Sequence, residues 1–146
     1  MSTILLLSGP NLDMLGIREP EVYGTATLDD HVARARATAE KAGHELEHLQ
    51  SNHEGELVDA IRNARGRCAA VVINAGALTH YAWSLHDALA AYDGLVVELH
   101  ISNPYAREAW RNTSVVAPVA KGSICGFGGL GYEMAVEAVA RLLADA

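Results

Sequence analysis

The sequence has few cysteines, no excess of basic residues and no long hydrophobic run, and each absence argues against a class of protein. Its two cysteines, Cys68 and Cys125, lie far apart without the spacing of a metal or redox motif, so we expect buried thiols in a reducing cytoplasm. The 11 lysines and arginines, against 18 aspartates and glutamates, give a net charge of -7 that would repel a nucleic-acid backbone. No apolar stretch approaches the length of a membrane span, and no basic signal region precedes the first apolar run. These features predict a soluble cytoplasmic protein that binds neither nucleic acid nor membrane.

Apolar runs that alternate with segments of helical period predict one domain built on a parallel sheet. The length of 146 residues suits a single domain, and a hydrophobic content of 50% is enough for one core. Continuous apolar runs predict central strands at residues 3–7, 69–73 and 95–97. Edge strands are predicted at residues 45–50, where polar and apolar residues alternate, and at residues 114–117, which Pro118 ends.

Helical spacing of apolar residues predicts the helices that cover this sheet. Thr27 can cap the first helix and Gly43 closes it, while Gly66 follows the second. The apolar faces are Leu28, Val32, Ala35 and Ala39 in the first helix, Leu57, Ile61 and Ala64 in the second, and Ala135, Val139, Leu142 and Leu143 in the last, with another helix roughly over residues 80–91. Right-handed crossovers then give the strand order 2-1-3-4-5, a flavodoxin-like doubly wound α/β fold.

Polar side chains follow four of the predicted strands. In open α/β sheets ligands bind beyond the carboxyl ends of the strands, which is where residues 8–11, 50–54, 74–80 and 98–103 would lie. Any one of these serines, asparagines or glycines could simply cap the helix that follows it. Four such segments at one rim favour a ligand site.

Glu98 and His100 are two residues apart on a predicted strand and therefore share one face. A carboxylate that orients an imidazole is suited to proton transfer. A metal pair is the competing interpretation, but no third ligand stands at a recognisable spacing, and His44 and His48 are expected to be exposed on the edge strand.

Two glycine-containing segments have more than one interpretation. Residues 126–131 match the pattern GxGxxG but lie near the end of the chain, so they indicate a turn into the last helix whose amides could face the site rather than a dinucleotide motif. Residues 9–24, with Arg18, Glu19 and Tyr23, form a connection that is longer than most and a candidate lid. The alternative for this connection is a disordered surface excursion.

Five segments of the chain are familiar together. They read SGPNLDMLGIREPEVYG, QSNHEGELVDAI, NAGALTH, VELHISNPYAREAWR and GFGGLGY. In this order and spacing they resemble the type II 3-dehydroquinate dehydratases. The resemblance implies a flavodoxin-like fold, trimers assembled into a dodecamer, and dehydration of 3-dehydroquinate to 3-dehydroshikimate without metal or cofactor. Type I enzymes use a Schiff-base lysine, whereas the lysines here, Lys41 and Lys121, lie outside these segments.

The resemblance also implies a role for each site residue. Tyr23 would remove the proton alpha to the ketone, with Arg18 beside it, and His100 would protonate the departing hydroxyl while Glu98 holds it in position. Asn11 would bind the water that stabilises the enolate. The substrate's hydroxyls and carboxylate would be bound by Asn74, His80, Ile101, Ser102 and Arg111, and Asp87 would reach the site of a neighbouring subunit.

Some positions depart from the family's usual residues. The family commonly has asparagine at Ser8 and Asp13, and threonine, serine and arginine at Tyr81, Ala82 and His86. A carboxylate near an anionic ligand would weaken binding, so we expect Asp13 to point away from the pocket. The other three flank the subunit contact that Asp87 would make, so they concern the oligomer more than the chemistry.

Two other classes of function share the predicted fold. A flavodoxin-like module that binds a flavin or a phosphate would use the same crevice but would have less need for Glu98, His100 and Tyr23. A structural oligomer that has lost activity would not be expected to retain every proton-handling residue. The sequence therefore favours an enzyme, which would serve either shikimate biosynthesis or quinate breakdown.

Overall fold

The protein is built on one parallel sheet. The computed structural model describes residues 1–17, 19–23 and 25–146, with only the backbone of Val22 and Tyr23, and within this part of the chain the sheet has five strands. They are β1 (Thr3–Ser8), β2 (Glu45–Gln50), β3 (Ala70–Asn74), β4 (Leu95–His100) and β5 (Gly122–Cys125). Their order, β2-β1-β3-β4-β5, confirms the predicted topology.

The fifth strand lies later in the chain than predicted. Residues 114–117 form a turn, because the Ser114 hydroxyl accepts hydrogen bonds from the amides of Val116 and Ala117 at 3.1 and 2.9 Å. These bonds compete with strand pairing, as short hydroxyl side chains often do. A 3-10 turn over Ala117–Val119 follows, and β5 then pairs with β4 from Gly122 onward. The prediction of a strand at residues 114–117 is therefore wrong, although the edge position of the last strand is right.

The longer helices lie close to their predicted positions. They are α2 (Leu28–Lys41), α3 (Glu54–Ala64), α4 (Trp83–Ala91) and α5 (Leu130–Ala144), and one short turn, α1 (Pro20–Tyr23), precedes them. Thr27 and Asp30 form a capping box at the start of α2, with hydrogen bonds of 2.9 and 3.2 Å. The helix predicted from about residue 80 starts later: Gly76–His80 is a 3-10 segment, and Tyr81, at φ -155 and ψ -2, separates it from α4. This break places His80 at the edge of the sheet where β3 ends.

The two faces of the sheet are covered by different helices. Ile4 and Leu6 of β1 pack in the core formed with α2 and α5, whereas Leu5 and Leu7 pack in the core formed with α3. This alternation follows from the two-residue period of a strand. Because each buried leucine or isoleucine contributes about 1.5–3 kcal/mol, the cores hold the strand ends firmly in place.

The expectations about the cysteines and about membrane spans can be compared with the structure. Cys68 is buried, but Cys125 on the edge strand β5 is only partly buried, so the expectation of two buried thiols is wrong for Cys125. Across the described residues, no helix combines the length and apolar character that crossing a membrane requires.

Candidate active site

A cavity opens at the carboxyl end of the sheet, where the predicted polar segments end. Its walls come from the connections after β1, β3 and β4. The lining residues are Pro10, Asn11, Leu12, Met14, Leu15, Asn74, Gly76, Ala77, His80, His100, Ile101, Ser102, Pro104, Arg107 and Arg111. The structure thus brings together most of the residues that the sequence suggested for substrate and proton chemistry.

His100 and Glu98 form a hydrogen-bonded pair at the end of β4. Glu98 is buried, and its Oε2 lies 2.8 Å from Nε2 of His100. Glu98 Oε2 also accepts a hydrogen bond from the Ser114 hydroxyl at 2.6 Å, and Oε1 accepts one from the Ser123 hydroxyl at 2.7 Å. With Nε2 engaged by the carboxylate, Nδ1 is the His100 nitrogen left for exchange with a ligand.

The surroundings of Glu98 keep it ionised despite its burial. Burial by itself raises the pKa of this carboxyl, but the hydrogen bonds from His100, Ser114 and Ser123 and the nearby imidazole lower it more, so the net pKa lies below the ordinary value. Ser114 and Ser123 were not predicted as site residues. The signal available for Ser114 was its position in the turn before Pro118.

Asn11 occupies a backbone conformation that few residues adopt. Its φ of 68 lies in the left-handed region, which asparagine tolerates better than most side chains. Its backbone amide donates to Oδ1 of Asn52 at 3.0 Å, and the Gln50 side chain donates to both Asn52 Oδ1 and the Gly9 carbonyl at 3.2 Å. The connection after β2 therefore holds Asn11 in place and does not itself line the cavity.

Gly9 has to be glycine for this arrangement. A Cβ at this position would lie 2.4 Å from the carbonyl oxygen of Ala75, far closer than real contacts. The Gly9 amide also donates to the Asn74 carbonyl at 2.8 Å. The start of the connection after β1, which carries Asn11, is thus fixed against the end of β3, where Asn74 lies.

His80 lines the cavity from the end of a 3-10 segment, and one of its ring nitrogens bonds to the backbone. Its Nδ1 lies 2.6 Å from the Thr113 carbonyl, which accepts a hydrogen bond from it. Burial is the main reason that the pKa of His80 is lowered, and nearby His100 and Arg111 lower it further although the Thr113 bond opposes this. A neutral His80 that donates through Nδ1 leaves Nε2 as a hydrogen-bond acceptor for a ligand hydroxyl.

Two arginines make one side of the cavity cationic. Arg111 donates from Nε to Glu108 at 3.2 Å, and its guanidinium lies 4.1 Å from the ring centroid of Trp110. Arg107, which the sequence analysis missed, lines the same cavity and donates from Nη1 to the Ser102 hydroxyl at 3.1 Å. The signal for it was its position in the same connection as Arg111, after β4. Guanidinium groups are well matched to a carboxylate ligand.

The glycine segment at residues 126–131 is hydrogen-bonded to the backbone at the end of β4 and just after it. The Gly126 amide donates to the His100 carbonyl at 3.3 Å, and the Gly128 amide donates to the Ile101 carbonyl at 3.0 Å. Both glycines have positive φ. These two amides hold the backbone of His100 and Ile101, and residues 126–131 do not line the cavity.

Four predicted residues are not among the described residues that line this cavity, and one of them, Glu98, is buried and contacts His100. Arg18 lies outside the described residues, and so does the side chain of Tyr23, whose backbone belongs to α1. Asp87 is exposed on α4, next to a surface groove between α3 and α4. Their roles stay predictions.

Comparison with known families identifies the chain. A family model described as dehydroquinase class II matches residues 2–140. The chain belongs to the class II dehydroquinase family. It is 48% identical over 139 residues to the 3-dehydroquinate dehydratase of Halalkalibacterium halodurans, covering 95% of this chain and 96% of that one. It is 55% identical to 3-dehydroquinate dehydratase 1 of Corynebacterium efficiens over 94% and 91% of the two chains.

Solved structures agree with this membership. The type II dehydroquinase of Butyrivibrio crossotus superposes with a TM-score of 0.91 at 41% identity, over 94% of this chain and 97% of that one. A 3-dehydroquinate dehydratase-like protein of Bifidobacterium longum gives a TM-score of 0.74 at 31% identity, over 99% of each chain.

None of the positions at which this class II dehydroquinase departs from the usual pattern lines the cavity. Asp13 is exposed and is absent from the lining residues, as expected for an acidic side chain near an anion site. The Ser8 hydroxyl is buried and lies 2.9 Å from Nε2 of His48. His44 and His48 are partly buried, so the expectation that both are exposed is wrong. Tyr81 is exposed beside α4, and Nδ1 of His86 lies 2.7 Å from the Val115 carbonyl.

Proposed function

We propose that this class II dehydroquinase dehydrates 3-dehydroquinate to 3-dehydroshikimate through an enolate intermediate. The observation that carries the proposal is the buried pair Glu98 and His100, which lies beside the arginine side of one cavity. The pair supplies a proton donor and the arginines a carboxylate site. The curated relatives that carry the name 3-dehydroquinate dehydratase support the choice of substrate.

The reaction needs one base and one acid, and the proton count closes with two residues. Tyr23, as its phenolate, takes the proton from the carbon alpha to the ketone, and the electrons of that C–H bond form the enolate. His100 then gives a proton to the hydroxyl on the neighbouring carbon as the C–O bond breaks and the enolate collapses to the enone. Water leaves, and a proton passes from Tyr23 back to His100 to restore both groups.

Ionised Glu98 fits the acid role of His100. A carboxylate 2.8 Å from Nε2 holds the ring in one orientation and stabilises the protonated imidazole before it gives up its proton. Asn11 lies on the opposite connection, where it binds the water that stabilises the enolate oxygen. Preorganised donors of this kind contribute about 3–4 kcal/mol to a transition state.

Tyr23 requires a cation to act as a base near neutral pH. A phenol has an ordinary pKa of about 10, and a nearby guanidinium favours its ionised form. Arg18, which is five residues earlier on the same connection, is the group proposed to do this. Closure of the connection over residues 9–24 would then also exclude water.

The remaining site residues bind parts of the substrate that do not react. Arg111 binds the carboxylate, while Asn74, His80 and the backbone of Ile101 and Ser102 bind hydroxyl and carboxylate oxygens. Asp87 completes the site of a neighbouring subunit. We expect a homo-oligomer built from trimers, assembled as a dodecamer, because Asp87, Tyr81 and Trp83 lie exposed on or beside α4 and exposed aromatics favour interfaces.

The decisive experiment follows the conjugated enone by its ultraviolet absorbance in wild type and Tyr23→Phe. Wild type should turn over 3-dehydroquinate, whereas Tyr23→Phe should stay folded and bind product but lose nearly all turnover. Arg18→Ala should lose much activity and shift the basic limb of the pH profile to higher pH. Near-native turnover in Tyr23→Phe would contradict the assignment of the base, and a coloured protein without turnover would favour the flavin-binding alternative.

The oligomer has its own test in light scattering of the active protein. A trimer or a multiple of it is expected. A monomer with full activity would contradict the proposed contribution of Asp87 to a neighbour's site.

A further inference from the structure

Asn74 is held from beneath the cavity by a residue of the last helix. Its Nδ2 donates to the Tyr132 hydroxyl at 3.1 Å, and its Oδ1 accepts from the Gly76 amide at 3.3 Å. These two bonds distinguish the nitrogen end of the side-chain amide from the oxygen end. The amide thus faces a ligand in one orientation and not in the flipped one.

Tyr132 is itself fixed in position. It is fully buried, and its ring stacks on His31 with centroids 5.4 Å apart and an interplanar angle of 8°. Gly129 allows this stack, because a Cβ there would lie 2.0 Å from Cε1 of His31. The ring of Tyr132 therefore has little freedom, and the position of its hydroxyl is set by α2 and α5.

The Tyr132 hydroxyl also lies near Ser8, and hydrogen bonding between the two is among the influences on the pKa of the phenol. The Ser8 hydroxyl in turn lies 2.9 Å from Nε2 of His48, so these groups can form a chain of hydrogen bonds across β3, β1 and β2. Since Asn74 uses Tyr132 as an acceptor, the phenol proton goes to Ser8 and the Ser8 proton goes to His48. Each donor then has an acceptor, which buried polar groups require.

Burial favours this direction of the chain at both ends. It lowers the pKa of His48, with Arg36 adding to the effect, so the imidazole is neutral and can accept through Nε2. It raises the pKa of the Tyr132 phenol more than the hydrogen bonding that involves Asn74 and Ser8 lowers it, so the phenol keeps its proton.

We propose that Tyr132 is a positioning residue for Asn74, and that Ser8 and His48 set the direction of the hydrogen bonds that orient it. The inference rests on the proposed substrate-binding role of Asn74. Without the Tyr132 hydroxyl, the buried Nδ2 loses its acceptor, and only the 3.3 Å bond from the Gly76 amide still opposes rotation or a flip of the side-chain amide. A flipped amide offers an acceptor where the substrate hydroxyl needs a donor, or the reverse.

The test is Tyr132→Phe, which keeps the ring and its stack on His31. We expect KM for 3-dehydroquinate to rise about tenfold, as for a buried hydrogen bond lost at a binding group, with kcat changed much less. The matched control is Tyr92→Phe. Tyr92 is also buried, but its hydroxyl donates to the Cys68 carbonyl at 2.6 Å, at the amino end of the sheet and away from the cavity. This control should lower the melting temperature and leave KM unchanged.

A double-mutant cycle shows whether Tyr132 acts through Asn74. In an Asn74→Ala background, Tyr132→Phe should cause no further rise in KM. An equal rise in both backgrounds would overturn the proposal, because a general packing defect would add to the loss of Asn74. Ser8→Ala leaves both rings in place and should raise KM by a smaller factor, so it tests the chain if Tyr132→Phe does not fold. An unchanged KM in Ser8→Ala would then overturn the proposal.

The outcomes separate this inference from the proposed function. Absence of turnover by wild type would contradict the proposed function, and the positioning role with it. Turnover by wild type together with an unchanged KM in Tyr132→Phe would overturn the positioning role alone.

Discussion

The end of β4 and the connection that follows it form adjacent walls of one cavity but are built in different ways. Glu98 and His100 lie on a strand between two others and are almost fully buried, and Glu98 accepts hydrogen bonds from the hydroxyls of Ser114 and Ser123. Trp110 and Arg111 lie on a 3-10 segment, and the Trp110 side chain is 51% exposed. The strand end fixes a geometry, whereas the connection presents charge on a less constrained backbone.

This difference matches the demands of the two tasks. Proton transfer depends steeply on distance and angle, so its groups benefit from a rigid strand and a closed set of hydrogen bonds. Binding a carboxylate tolerates small displacements, because Coulomb attraction falls slowly with distance. Substitutions at the strand end should therefore act on kcat and those on the connection on KM.

The largest effect is expected at His100. His100→Ala removes the proposed acid, and general acid catalysis contributes about 10²–10⁴-fold, so kcat should fall by that range while KM changes little. Steady-state kinetics with 3-dehydroquinate measures both constants. A large rise in KM at unchanged kcat would remove the distinction between the two walls.

Glu98→Gln should have the next largest effect. The amide keeps the shape of the side chain but removes the charge beside the imidazole, so we expect kcat to fall by about 10²-fold, as for loss of a charged buried hydrogen bond. Ser84→Ala is a control that removes an exposed hydroxyl, which donates to the Glu54 carboxylate away from the cavity lining. It should leave kcat unchanged.

Glu98 should also give the protein part of its stability toward acid. Its pKa in the folded protein is lower than the ordinary value of 4.5, chiefly because hydrogen bonds outweigh the opposing effect of burial. Its contribution to the free energy of unfolding is therefore complete above pH 4.5 and is lost as the pH falls through the lowered folded pKa. Melting temperature measured against pH should fall less steeply in Glu98→Gln below that value. Parallel curves for the two proteins would contradict this.

A smaller effect is expected at Arg111. Arg111→Ala removes a guanidinium from the proposed carboxylate site and should raise KM about tenfold with kcat nearly unchanged. Arg111→Lys keeps the charge but loses the two-pronged geometry, so its KM should lie between those of wild type and Arg111→Ala. Arg141→Ala, which removes an exposed arginine paired with Glu137 on α5, is the control and should leave KM unaltered.

The strand end was also easier to predict from sequence than the connection. The apolar run before Glu98 and the two-residue spacing to His100 determine a shared face whatever the rest of the fold does. Arg107 gave no such pattern, because its contact with Ser102 depends on how the 3-10 turn at Pro104–Ala106 folds back. The prediction of a strand at Ser114 rests on its apolar neighbours, because the sequence does not show the hydrogen bonds that its side chain makes.

The same contrast applies to the support of Asn74. Its place at the end of a strand followed from the apolar run before it, and the topology was predicted correctly from right-handed crossovers. Its bond to Tyr132 joins residues 58 positions apart and requires the exact packing of α5 on the sheet. Likewise, the alternation of polar and apolar residues predicted an exposed His48. Its partial burial depends on which helix covers the edge strand, and the alternation does not show that.

The smallest effect is expected at Trp110, which lies between two proposed binding residues. Its ring makes an edge contact with His80 at 5.2 Å between centroids and lies 4.1 Å from the Arg111 guanidinium. Because a cation–π contact at an exposed site contributes about 0.5–1 kcal/mol, Trp110→Leu should raise KM by about two- to fivefold without changing kcat. Trp110→Phe keeps an aromatic face and serves as the matched control, with a KM closer to that of wild type. Equal KM values for the leucine and phenylalanine variants would show that Glu108, and not the aromatic ring, holds the Arg111 guanidinium. A fall in kcat would show that the connection takes part in the chemical step, as the strand end does.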